Sequence, residues 1–246
     1  MKQPHLLCDE TDITQQAMIV GDPARVERVG KYLNKTTLIA NNREFKLLKG
    51  WYKGQEITVV STGIGAASAA IAIEELSACG VKKIIRVGSC GAYQEKVGLG
   101  ELVVVTGAVR EDGASKAYIP KTYPAVPDLS LTQRLIFLAE KNKIAFHQGI
   151  IRCHDSFYTS KEEEIMAFWN QAGVLGADME TAILFVLGRL KGIATASVLN
   201  NVVLYHQDVK QGIGDYASEE ELTGKGEERA IVLALEGLLP TENTEG

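Results

Sequence analysis

Short apolar runs capped by small or polar residues alternate along this chain with stretches of helical period, and that alternation predicts an α/β fold. Ala17 to Val20 is a brief apolar strand running into Gly21-Asp22-Pro23-Ala24-Arg25. Pro23 suits a first helical turn, where its missing N–H costs nothing, so a helix should follow through Val29 and Leu33. Lys46 to Trp51 alternates, Lys53-Gly54-Gln55 reads as a hairpin turn, and Ile57 to Val60 is the returning strand. Ser61-Thr62-Gly63-Ile64-Gly65 opens a small-residue helix over Ala66 to Cys79, whose Ala and Ser content implies close packing. The apolar run at Ile84 to Val87 carries Arg86 and reads as a buried strand, after which the chain is expected to turn through Gly88-Ser89-Cys90-Gly91-Ala92.

The second half repeats the alternation. Glu101 to Thr106 is a strand, followed by a polar run from Val109 to Ser115 and a proline-punctuated loop from Tyr123 to Asp128. Leu129 to Asn142 has helical period, and His147 to Cys153 reads as a strand. Lys161 to Glu164 is a solvated helix start, and Asp178-Met179-Glu180-Thr181 opens an apolar helix through Leu190. Thr195 to Leu199 is a strand ending at Asn200-Asn201, and Glu219 to Leu239 is the last helix. Residues 1–16 read as irregular, Gln207 to Ser218 as a mobile loop and 240–246 as a flexible tail. With no repeat period and no Pro-, Gly- or Ser-rich linker, one domain over residues 1–246 is expected. Its architecture is a three-layer α/β/α with a central mixed, largely parallel sheet.

Candidate chemistry collects at strand ends. Gly21 with Arg25 joins a strand, a glycine turn and a helix start, where free N–H groups and the helix dipole favour an anion. Arg86 with Ser89 offers a planar cationic fork and a hydroxyl. Read alone, Arg86 serves a structural salt bridge as readily as an anion. Asp178 and Glu180 form an acidic pair at a helix start, where a carboxylate can accept the vicinal hydroxyls of a sugar. Met179 and Phe157 offer an apolar floor and a stacking face, or simply pack in the core. In open α/β folds the strand ends converge on one edge, where ligands bind.

Composition narrows the classes. The 246 residues carry 26 Lys and Arg against 31 Asp and Glu, a net charge of −5, which argues against a dedicated nucleic-acid binder. The four cysteines, Cys8, Cys79, Cys90 and Cys153, are scattered without a CxxC pair, so reduced thiols are expected. No signal-like pattern or membrane-length apolar run is found, and a soluble cytoplasmic protein without a membrane partner is expected.

Across almost its whole length the chain resembles the nucleoside phosphorylases that include hexameric purine nucleoside phosphorylases and uridine phosphorylases. The carriers, in order, are Gly21 to Arg25, Asn42-Arg43-Glu44-Phe45, Ser61 to Gly65, Arg86 to Ala92, Asp155-Ser156-Phe157-Tyr158 and Met179-Glu180-Thr181-Ala182. The resemblance implies a pentosyltransferase that converts a nucleoside and inorganic phosphate to free base and ribose 1-phosphate, with no cofactor. It implies phosphate on Gly21, Arg25, Arg86 and Ser89, with Arg43 reaching a neighbouring subunit's phosphate. Glu180 and Met179 would meet the ribose beside Asp178, Phe157 would stack on base or sugar, and His5 would meet a ribose 5′-hydroxyl across a dimer interface. Asn200 and Asn201 would lie beside the base, so that Arg86, Glu180 and Asn201 carry the catalysis. Glu44, Ile64 and Ser68 match a potassium site between subunits, and a dimer at least, or a hexamer as a trimer of dimers, is implied.

The pattern departs from the family at the base. Asn201 stands where the purine branch has an aspartate, and Lys161, Glu162 and Glu163 stand where the uridine branch has its uracil-reading glutamine and arginine. The framework leans toward uridine phosphorylase, with a 6-oxopurine phosphorylase the main alternative. A hydrolytic nucleosidase and a non-catalytic nucleoside-binding homologue are further readings.

Overall fold

A computed structural model describes residues 1–207, 214 and 221–240. Apart from Gln207 and Gly214, the expected loop over Gln207 to Ser218 lies outside the described residues, as does the tail after Pro240.

The described strands are β1 (Gln16–Val20), β2 (Asn34–Asn42), β3 (Phe45–Tyr52), β4 (Gln55–Ser61), β5 (Lys83–Ala92), β6 (Leu102–Arg110), β7 (Phe146–Cys153), β8 (Gly176–Asp178) and β9 (Ala194–Val203). The helices are α1 (Pro23–Gly30), α2 (Ala66–Ala78), α3 (Ala114–Tyr118), α4 (Leu129–Lys141), α5 (Glu162–Gln171), α6 (Thr181–Lys191) and α7 (Glu221–Leu238). All nine strands join one sheet in the order β2-β3-β4-β1-β5-β8-β7-β6-β9, and β9 also pairs with β5, so its second half closes on itself. Pairings of β1 with β4 and β5, of β5 with β9, and of β7 with β6 and β8 are parallel. Those of β3 with β2 and β4, β5 with β8, and β6 with β9 are antiparallel, which makes the sheet mixed as expected.

Helices cover both faces and give the three layers. One core joins α2 and α6 to the sheet through Ala69, Ile73, Leu76, Ile183 and Phe185. The other joins α1, α4 and α7 through Val26, Leu135, Ile231 and Leu235. Because side chains alternate along a strand, Ile84 faces the first core and Ile85 and Val87 the second. β5 therefore sends Arg86 to the α6 side and Ser89 to the α1 and α7 side. Among the described residues no helix is long and apolar enough to cross a membrane.

Several features differ from the sequence expectation, among them the short strand β8, which was not anticipated. β5 does not turn after Val87 but runs on through Ala92, paired with β9 and β8. Gly88 serves space rather than turning, since a Cβ there would lie 2.4 Å from Arg86 Nη2 and 2.8 Å from Leu199 Cδ2. β2 was not anticipated; its first five residues are exposed, so it lacks the alternation that marks a half-buried strand. β6 extends into the polar run as far as Arg110, and α3 follows. The buried Arg110 holds that segment by donating to the carbonyl oxygens of Ser115, Ile119, Pro120 and Tyr123. β9, finally, continues past Leu199 to Val203.

Candidate active site

Three chain segments meet at the C-terminal end of β5. From β1, the chain enters α1 through Asp22, whose carboxylate accepts from the Ala24 N–H at 2.8 Å and caps a helix with Pro23 in its first turn. That geometry buries Arg25 to 5% exposure. Arg25 donates to the Val87 carbonyl and to the Ser89 hydroxyl, both at 3.1 Å, and to Glu227 of α7 at 2.7 Å. Glu227 also takes Arg28, which in turn reaches Asp22 at 3.2 Å.

On the opposite face of β5, Arg86 is 3% exposed and lies between two carboxylates. Its Nε donates to Asp178 Oδ2 at 3.1 Å and its Nη2 to Glu180 Oε2 at 2.5 Å. Its Nη1 is buried without a hydrogen-bond partner among the described residues. Burial works against the guanidinium charge, but Glu180 and Asp178 outweigh it and hold the group protonated above its usual range. Burial also pushes the Glu180 carboxyl up, against the pull of Arg86. Asp178 is further committed, accepting from Cys153 Sγ at 2.6 Å and from the Thr181 N–H and hydroxyl that begin α6. Glu180 Oε1 takes the Gly65 N–H from the loop before α2 at 2.5 Å. Each Glu180 oxygen keeps a second acceptor site for a ligand hydroxyl.

These groups line one cavity of about 1480 Å³, larger than the roughly 300–1,000 Å³ usual for a single small ligand. Gly21, Arg25, Arg86, Ser89, Phe157, Asp178, Met179 and Glu180 all line it, so eight of the expected residues come together. Glu44, Ile64 and Ser68 also touch its rim. Ser68 Oγ lies 2.8 Å from Glu44 Oε1 and 2.5 Å from the Thr62 carbonyl, while Ile64 is 79% exposed.

Four expected residues do not line the cavity. Asn201 is fully buried, and its amide donates to the Val97 and Gly98 carbonyls, both at 3.1 Å. Asn200 points its amide at the Thr223 carbonyl of α7 at 2.8 Å. His5 is held by Glu75, 2.7 Å from its Nδ1, and Arg43 is exposed in a left-handed backbone conformation at φ 56°.

Sequence reasoning missed several lining groups: Glu227, Tyr93, His154, Glu162 and Met166. Glu227 left a signal, since it shares a helical stripe with the buried Thr223, Gly226 and Ala230. For His154, burial and then the nearby Arg152 hold the imidazole below its usual range, so it is neutral near pH 7.

A sequence model of the phosphorylase superfamily matches residues 16–223. The chain belongs to this superfamily. It is 42% identical over 240 residues to a guanosine phosphorylase of Halorubrum lacusprofundi, covering 95% of this chain and 97% of that protein. Its fold is similar to that of a uridine phosphorylase from Vibrio fischeri, with a TM-score of 0.91 and 45% identity over 96% of this chain and 97% of that one. It is also similar to a purine nucleoside phosphorylase from Toxoplasma gondii solved with immucillin-H, with a TM-score of 0.88 and 31% identity over 96% and 95% of the two chains. These family members bear out the single-domain α/β fold and the nucleoside phosphorylase class, an enzyme transferring a pentosyl group.

Proposed function

We propose that the cleft catalyses phosphorolysis of a nucleoside, with Gly21, Arg25, Arg86 and Ser89 holding phosphate and Glu180 and Met179 holding ribose, while Asp178, its oxygens taken by Arg86, Cys153 and Thr181, fixes Arg86 beside them. The observation that carries this reading is the state of Arg86. Two of its nitrogens are fixed by Asp178 and Glu180, while the buried Nη1 still lacks a partner among the described residues. A phosphate oxygen satisfies that donor, and Ser89 and Arg25 stand at the end of the same strand.

The chemistry follows from these charges. As the glycosidic bond breaks, the sugar becomes oxocarbenium-like, and the dianionic phosphate held under it both stabilises that cation and attacks it. The arginines supply position and fixed electrostatics rather than covalent chemistry. Glu180 accepts the ribose hydroxyls, and Phe157 offers a stacking face.

Arg43 and His5 fit a role in a neighbouring subunit's cleft, since neither lines its own. We place the enzyme in the cytoplasm as a dimer or as a hexamer made of three dimers. Glu44, Ile64 and Ser68 suit a monovalent cation such as potassium, completed by a second subunit, the Ser68 hydroxyl lying 2.8 Å from the Glu44 carboxylate.

The framework favours uridine as a substrate, whereas the 42% identity to a guanosine phosphorylase favours a 6-oxopurine nucleoside. Uridine, thymidine, inosine, guanosine and adenosine should be incubated with and without phosphate. At least one is expected to release its base only when phosphate is present. If none does, phosphorolysis is the wrong reaction.

A further inference from the structure

Phosphate and ribose are met by groups from the turn before α1, from β5 and from the start of α6. What remains of the cleft lining for a base includes Tyr93, His154, Phe157, Tyr158, Glu162 and Met166. Most of these surfaces are aromatic or apolar and fit any flat ring. Glu162, the first residue of α5, is different.

One of its carboxylate oxygens, Oε2, is buried and has no hydrogen-bond partner among the described residues. Its neighbours Lys161, Glu163 and Glu164 are exposed, so the acidic run is not solvated as a block. Arg152, whose charge acts on Glu162, already donates to Glu111 at 2.5 Å and to the Tyr93 hydroxyl at 3.0 Å. Burial pushes the Glu162 carboxyl up, and Arg152 only partly opposes that. A buried acceptor without a donor is costly, and an N–H brought by a ligand removes the cost.

We infer that Glu162 reads the donor edge of the base and makes guanosine the preferred nucleoside. This rests on the reading of the cleft as a nucleoside phosphorylase site. An ionised carboxylate can only accept hydrogen bonds. Guanine presents two adjacent donors, N1–H and the 2-amino group, which match its two oxygens. Hypoxanthine keeps only N1–H. Uracil places a single N3–H between two carbonyl oxygens that repel a carboxylate, and adenine offers a lone pair at N1.

The test compares kcat/KM for guanosine, inosine, 1-methylguanosine and uridine at saturating phosphate, in the native protein and in Glu162→Gln. Guanosine should exceed inosine and 1-methylguanosine each by about 10- to 100-fold, the range for losing one hydrogen bond to a charged group. In Glu162→Gln the guanosine-to-inosine ratio should fall to within a few-fold of one, because an amide NH2 now opposes one of the guanine donors. A native enzyme that prefers uridine, or a guanosine preference that survives Glu162→Gln, overturns the role of Glu162 and leaves phosphorolysis standing. Phosphate-independent or absent cleavage of every nucleoside overturns both. If the variant does not fold, the native comparison of guanosine with 1-methylguanosine decides by itself, equal rates sinking the inference.

Discussion

Arg86 shows how one side chain serves both the fold and the reaction. It is the cation between Asp178 and Glu180, and all three are buried. Removing one partner of a buried ionic cluster leaves the others uncompensated and costs about 3–5 kcal/mol. For a chain of this size that is a melting temperature lower by roughly 10 °C. Arg86→Ala should show that loss and also raise the phosphate KM by about tenfold or more, since a charge-assisted contact to the anion goes with it. Glu180→Gln should mainly raise the nucleoside KM instead. Calorimetry and initial rates at varied phosphate separate the two effects, and an unchanged phosphate KM in Arg86→Ala would show that the anion sits elsewhere. Arg86, Ser89, Gly21, Arg25 and Glu180 were legible in the sequence because each stands where a strand run breaks into glycine, serine or charge. Asn201 was legible only as a position in a family pattern, and the carbonyls of Val97 and Gly98 that claim its amide belong to a loop about a hundred residues away. Glu162 was legible only as one of three residues, with Lys161 and Glu163, at the family's uracil-reading positions. Nothing local distinguishes it from the exposed glutamates beside it; only the packing of α5 against the cleft does.

Elements were legible where burial imposed a period, and illegible where pairing or a single side chain made them. β1, α2, α4 and β7 carry their pattern in sequence, whereas β2 is held by pairing to β3 with an exposed first half. α3 is held by carbonyls gathered on Arg110, and β9 extends four residues, 200–203, beyond its expected end because β5 pairs with it there and β6 pairs at Asn200. α7 is the element on which the cleft most depends, since it carries Glu227, the carboxylate that fixes Arg25. It lies close enough to the sheet that a Cβ on Gly226 would be 2.1 Å from Asn200 Oδ1 and 2.7 Å from the Gly100 backbone. Gly226→Ala should therefore destabilise the protein, although alanine favours a helix by about 1 kcal/mol over glycine. At Gly224, two residues earlier, a Cβ would meet nothing within 4 Å, and Gly224→Ala should be neutral or stabilising by up to about 1 kcal/mol. Denaturant unfolding of the pair checks this; equal effects would mean that α7 is not held at Gly226.

At the scale of the whole molecule, the sheet assembles most of a site but leaves four expected contributors outside it, Asn200 and Asn201 within the fold and His5 and Arg43 nearer the surface. His5 is tied to Glu75 and Asn42, and Arg43 is exposed, so neither reaches its own cleft in this arrangement. Exposed apolar side chains at Leu7 and Ile64, the latter beside the Glu44 and Ser68 pair, give the same region a surface suited to a second copy. If Arg43 completes a neighbour's phosphate site, defects in Arg43 and Glu180 must complement between subunits. Arg43→Ala alone and Glu180→Gln alone each damage every site in a dimer. In a mixed dimer, one site receives both defects and the other receives an intact Glu180 from its own chain and an intact Arg43 from its partner. Equal co-expression makes half of the dimers mixed, so about a quarter of all sites are restored by two-fold symmetry. Activity near that fraction of native, well above the average of the two parent variants, is the expected result. Activity no higher than that average would place Arg43 outside the partner's cleft, and the site would then belong to one chain alone.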